Sequence, residues 1–191
     1  MQRTWKPFLV IAALVFAGAG TAEAQMAQMD ANPMVGGMAM SRAKDIVDNA
    51  VNSPDHTTLV AAVKAAGLVD ALKARGPFTV FAPTNAAFAL LPAGTVDNLL
   101  KPENKTMLTS VLTYHVVAGR YDAKALMDLI KQGHGTGTLK TLNGATLWVM
   151  MNGDRNIVVK DGKGSVADIS VYDVYQSNGV ILVVDKVLMP A

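Results

Sequence analysis

The sequence predicts an α+β domain, and three observations carry that prediction. Between residues 41 and 131 apolar side chains recur at spacings of three and four, the period of an amphipathic helix. Beyond Gly137 the period falls to two, with β-branched and aromatic residues alternating with polar ones and turn dipeptides between the runs. The two textures are segregated along the chain, whereas a parallel α/β fold would interleave them.

Residues 1–24 have the pattern of a secretory signal. Arg3 and Lys6 give a positive start, Phe8 to Gly20 is uncharged and apolar to small, and Ala22-Glu23-Ala24 has the small-x-small cleavage pattern. As a helix that run reaches about 20 Å, short of the roughly 30 Å of a bilayer's hydrocarbon, so the expectation is an exported chain beginning at Gln25. Residues 25–40 (QMAQMDANPMVGGMAM) show no sustained period and are expected to be a flexible segment. Its thioethers, on Met26, Met29, Met34, Met38 and Met40, could serve a soft metal such as copper(I) or simply patch apolar surface. No His or Cys stands among them to complete a site, which favours the patch.

The domain is expected over residues 41–190. A first helix carries Ile46, Val47, Ala50 and Val51 and stops near Asn52-Ser53-Pro54. Asp55 is a candidate N-cap for a second, with stripe Leu59, Val60, Val63 and Leu68 and Gly67 at its C-terminal left-handed position. After a short turn at 69–72, Phe78 to Phe81 reads as a strand ended by Pro83. Helical segments return at 85–91, 96–100, 103–112 and 123–131, the last with Asp122 as cap. Strands then run at 138–142 and 145–151 around Asn143-Gly144, a hairpin signal. Further strands follow at 156–160, 166–172 and 179–184, separated by Asn152-Gly153-Asp154 and Asp161-Gly162-Lys163-Gly164.

Composition closes off several classes of function. Lys and Arg number 17 against 15 Asp and Glu, interspersed along the chain, so there is no cationic face for nucleic acid. Cysteine is missing, which removes disulfides, thiol nucleophiles and Cys-ligated zinc. With 51% hydrophobic residues the chain can hold its fold by packing alone. Ser110, Ser165, Ser170 and Ser177 sit on no Gly-x-Ser-x-Gly elbow, and His56, His115 and His134 lack metal-ligand spacing. Gly133 to Gly137 follows a helix and precedes a strand, the reverse of a phosphate loop, and reads as a mobile loop. Glu103 is the only Glu after residue 24, which leaves no carboxylate pair for glycoside chemistry.

Three ordered motifs carry a resemblance. FTVFAPTNAAF (78–88) resembles the first signature of fasciclin domains, SNGVILVVDKVL (177–188) the second, and Tyr114-His115-Val116-Val117 the family's Tyr-His box. The chain is similar to small bacterial single-domain members, secreted or periplasmic, such as the mycobacterial immunogenic secreted proteins. The resemblance implies a wedge-shaped β-sandwich with helices packed on one side. It also implies a non-enzymatic adhesion module, without cofactor, whose partner is a cell-surface or matrix protein or polysaccharide. It marks Tyr114 and His115 as binding positions, and Asp173-Val174 where integrin-binding animal relatives carry Asp-Ile. The residues also have a structural reading. Phe81, Phe88 and Val184 are core; Pro83, Thr84 and Asn85 end a strand and cap a helix; Asn178-Gly179 is a turn. His115, between an apolar helix and an apolar strand, suits a neutral imidazole with both nitrogens bonded.

Overall fold

The computed structural model describes residues 32–191; the signal-like segment 1–24, Met26 and Met29 lie outside the described residues. Two short strands, β1 (Met34–Val35) and β2 (Met38–Ala39), open the described chain as an antiparallel hairpin turned by Gly36 and Gly37, both at positive φ. This part of the segment expected to be flexible is therefore built into the domain. Val35 and Met40 are buried in its core, and the Asn32 side chain bonds the main chain of Tyr175. The sequence lacks a period here because a strand of two residues is too short to show one.

Six α-helices follow before or around the first long strand: α1 (Ile46–Ala50), α2 (Thr57–Ala66), α3 (Val69–Lys73), α4 (Asn85–Ala89), α5 (Thr95–Leu99) and α6 (Lys105–Tyr114). Strand β3 (Phe78–Pro83) lies between α3 and α4, and β4 (Val116–Ala118) and α7 (Ala123–Gln132) come next. The strands β5 (Thr136–Lys140), β6 (Thr146–Asn152), β7 (Asn156–Lys160), β8 (Val166–Gln176) and β9 (Gly179–Val184) complete the chain. Gly67 takes the left-handed cap of α2 (φ 74°) and the Asp122 carboxylate caps α7, both as expected. Asp55 does not cap α2. It lies inside a 3₁₀ turn, Pro54–His56, that precedes the helix, because Pro54 holds the first turn after Ser53.

The strands join in the order β4-β3-β9-β8-β7-β6-β5. All neighbours are antiparallel except β3 and β9, which run parallel from Phe78↔Gly179 to Pro83↔Val184. Local pattern could not reveal that pair, since residues 84–178 lie between its strands. β8 begins by pairing with β7 and continues by pairing with β9, and its register shifts between Ile169 and Val174. Such bulges bend a strand and increase its twist, so β8 serves two sheet halves that curl round one core. The far ends approach as well: Leu142 N–H donates to Val116 O (2.8 Å), and Val117 bridges Thr141.

Two cores result from the alternation of side chains along these strands. Phe81, Leu147, Val149, Ile157, Val159, Leu182 and Val184 fill the inner face of the curled sheet, and Leu126 and Ile130 of α7 close it. Val80, Ala82, Ile181 and Val183 point the other way and are covered by α1 to α6 through residues such as Ile46, Leu59, Phe88 and Leu112. The α+β class and the helix-covered sandwich are thus as expected, with α7 placed on the inner core.

The signature asparagines tie the layers together. Asn85 Oδ1 accepts from the Thr58 N–H (3.0 Å) and its amide donates to Pro54 O (2.9 Å), so it satisfies the start of α2 from a distance. Asn178 accepts from the Ile46 N–H (3.1 Å) and donates to Leu72 O (2.7 Å), serving the start of α1 and the end of α3. Both satisfy helix-end groups that lack an intrahelical partner. Thr84 caps α4 by accepting from Ala87 N–H (3.2 Å). Gly179 is the first residue of β9 rather than half of a turn pair; a Cβ there would lie 2.3 Å from Phe78 O. At Asn143-Gly144 only Gly144 has positive φ (87°), so the turn is not type I′, and the connection runs from Thr141 to Ala145. The 133–135 segment closes the end of α7, with Gly135 N–H donating to Ile130 O (2.9 Å).

Candidate functional site

Tyr114 is the last residue of α6 and is fully buried. Its hydroxyl donates to Thr146 O on β6 (2.9 Å) and accepts from the Gly162 N–H (2.8 Å) in the β7–β8 loop. Burial pushes its phenol pKa up, which keeps the proton that the first bond needs. His115 follows at 2% exposure. Its Nδ1 lies 2.8 Å from Val111 O and its Nε2 accepts from the Leu188 N–H (2.9 Å), which fixes the neutral tautomer with the proton on Nδ1. The same residue's carbonyl accepts from Phe81 N–H (2.9 Å). The Tyr-His box therefore joins α6 to β3, β6, the 161–164 loop and the C-terminal segment, and neither side chain reaches the surface.

Asp173 and Val174 lie within β8 at its bulge. Val174 is fully buried in the helix-covered core. Asp173 is partly buried at φ 58°, and its Oδ1 accepts from the Ala123 N–H at the start of α7 (2.7 Å). Burial raises its pKa, nearby Asp122 adds to the rise, and the Ala123 N–H opposes it. The role visible here is to fasten the bulge to α7. Asp173→Ala loses that bond and places a Cβ-bearing residue without a local partner in the left-handed region. The expected cost is about 2 kcal/mol, roughly half from strain and half from the hydrogen bond. Asp173→Asn, which keeps an acceptor and tolerates this conformation, should recover most of it in urea unfolding; equal losses in the two variants would refute the role.

Sequence reasoning missed three polar groups that are buried as deeply. Asp161 is 1% exposed and its carboxylate accepts from the N–H groups of Lys163 (3.0 Å), Ser165 (2.7 Å) and Met189 (3.0 Å). Its position in a turn tetrapeptide gave no sign of the contact with Met189. Ser53 Oγ stands 2.9 Å from His56 Nδ1, the one Ser–His contact among the described residues. At 2% and 3% exposure they face the core rather than a substrate, and burial lowers the His56 pKa. Asn49 bonds the Gln176 side chain.

Of the methionines proposed as soft ligands, Met34 and Met38 are exposed on opposite faces of the β1–β2 hairpin, while Met40 is in the core. These three do not converge. No group of three or more His, Asp or Glu is gathered for a metal among the described residues.

Open grooves on the surface of the described residues include two with polar walls. One, about 670 Å³, is lined by Lys73, Arg75, Arg120, Ser177 and Asn178, with Asp45 the acid among its walls. Lys73 is committed to Asp48 (2.5 Å) and Asp45 (3.6 Å), whereas Arg75 makes no ion pair among the described residues. The other, about 460 Å³, lies against Trp148 on the outer face of β5 to β7. No helix among the described residues is long and apolar enough to cross a membrane.

Comparison with known proteins places these features in a family. The family model for the fasciclin domain matches residues 54–190. Protein sll1483 of Synechocystis sp. is 46% identical over 171 residues, covering 88% of this chain and 86% of that protein. Immunogenic protein MPB70 of Mycobacterium bovis is 38% identical, covering 91% and 81%. Cell surface glycolipoprotein MPB83 of the same species is also 38% identical, covering 83% and 67%. Among solved structures, a FAS1 domain pair from the insect cell adhesion molecule Fasciclin I superposes with a TM-score of 0.55 at 21% identity, over 66% of this chain and 42% of that one. That likeness concerns the fold alone. With the family model spanning both signatures and the Tyr-His box between them, and relatives aligned over most of their length, the chain belongs to the fasciclin domain family.

Proposed function

We propose that this protein is an exported, non-enzymatic binding module of the adhesion type, acting through an exposed face of its fasciclin domain on protein or polysaccharide at a cell surface or in a matrix. Family membership over residues 54–190 carries the reading. The name of a similar protein supports it, a cell surface glycolipoprotein 38% identical to this chain. The fate of the polar side chains supports it too. Tyr114, His115 and Asp161 are spent on internal hydrogen bonds, and Ser53 bonds His56 Nδ1 inside the core, where His56 Nε2 has no hydrogen-bond partner, while the open surface offers grooves without a paired nucleophile and base. The contact then falls on solvent-facing residues and not on Tyr114, His115 or Val174.

Deleting the gene and returning the protein tests this reading. Adhesion of the cells to host cells, to matrix and to one another is expected to fall and then to recover; adhesion indifferent to the protein in all three assays would overturn it.

A further inference from the structure

The outer face of β5 to β7 carries an arrangement that packing does not explain. Cross-strand register sets Thr138, Trp148 and Lys160 side by side in one row and Thr136, Met150 and Val158 in the next. Their neighbours Leu139, Leu147, Val149, Ile157 and Val159 fill the inner core, so these two rows lie on the sheet's other face, where Val158 alone is buried. Trp148 is only partly buried, and Thr138 and Lys160 are exposed. Lys163 and the 161–164 loop wall the groove beside the indole. The one acid among the lining residues, Asp161, is turned inward onto three backbone N–H groups and does not neutralise Lys160 or Lys163.

We propose that this face binds an acidic polysaccharide, with a sugar ring stacked on Trp148 and its carboxylate drawn to Lys160 and Lys163. The inference rests on the binding-module reading and adds a face and a ligand class. A partly exposed indole offers a flat apolar surface to the C–H groups of a pyranose ring, and the Thr136 and Thr138 hydroxyls beside it can exchange hydrogen bonds with sugar hydroxyls. The two cations favour a uronate over a neutral sugar. An extended peptide is disfavoured by the topology. β6 and β7 are interior strands with both edges paired, so the sheet beside Trp148 offers no free edge to an added strand.

Trp5 and Trp148 are the only tryptophans, so in the full chain carrying Trp5→Phe the fluorescence reports Trp148 alone. Titration with polygalacturonate is expected to give a saturating change that weakens as salt rises, with at least tenfold weaker responses to neutral dextran and to polyglutamate. In affinity electrophoresis, Trp148→Ala and the pair Lys160→Glu with Lys163→Glu should each lose at least tenfold in affinity. Arg75→Gln with Arg120→Gln, at the other groove, should not. The charge pair keeps the assay decisive if Trp148→Ala folds poorly. Equal binding of dextran or polyglutamate, no binding of any polymer, or unchanged binding by the face variants would overturn the proposal. So would a dimer that Trp148→Ala dissolves, since a second copy would then cover the face. If the protein still restores cell adhesion while polygalacturonate fails, only this face is wrong; if adhesion is also indifferent to the protein, the binding-module reading fails with it.

Discussion

Phe81→Ala is expected to lower the stability of the domain by about 4 kcal/mol, the middle of the range for deleting a buried phenyl ring. Phe81 is fully buried on the inner face of β3, beside β9, whose Leu182 and Val184 on the same face are also fully buried. Both neighbouring strands are hydrogen-bonded to β3, so the backbone cannot collapse into the space the ring leaves. Val184→Ala, at an equally buried site, removes two methyl groups and is expected to cost about 2 kcal/mol. Leu90→Ala, at 68% exposure, should stay within about 0.5 kcal/mol. Guanidinium unfolding midpoints of the three variants check the order; a Phe81→Ala midpoint no lower than that of Leu90→Ala would refute the inner core as described.

Much of this architecture is legible in the sequence because its signals are local. Gly67 and Asp122 end and begin helices through contacts within a turn, and the both-faced apolar run 179–184 can only be a buried strand. What the sequence hides depends on residues brought together from a distance. The parallel β3–β9 pair leaves no mark on either strand. Asn85 and Asn178 read as local cap and turn residues, yet their main bonds are to helix ends far along the chain. The β8 bulge makes Asp173-Val174, beyond the strand end expected at 172, a joint within the sheet, because Asp173 alone takes positive φ within the strand. Trp148 shows in the sequence only as one large residue in an alternating run. Its meaning comes from the registers that set Thr138 and Lys160 beside it.

The domain is expected to lose stability as pH falls from 6.5 to 4, and His115 is the main cause. Burial lowers its pKa from the ordinary value of 6.5 to about 4, although its bond to Val111 and the nearby Asp161 charge both favour the protonated form. In the unfolded chain the imidazole binds a proton through this window; in the folded protein it does not, because a second proton would have to displace the Leu188 N–H from Nε2. The unfolded state therefore holds more protons, and stability falls with pH, by about 3 kcal/mol over the window. Burial lowers the pKa of His56 as well, so its contribution has the same sign. Asp48 and Asp128, held below the usual carboxylate range by Lys73 and Lys124, act at more acid pH. His115→Gln can offer an amide N–H towards Val111 and an oxygen towards Leu188, yet it cannot titrate. Its chemical-unfolding midpoint should be lower than the parent's at pH 7 and should change less between pH 6.5 and 4. A variant that follows the parent's full pH dependence would show that the slope arises elsewhere. It would also remove the argument that this box histidine is kept neutral to hold the C-terminal segment against α6.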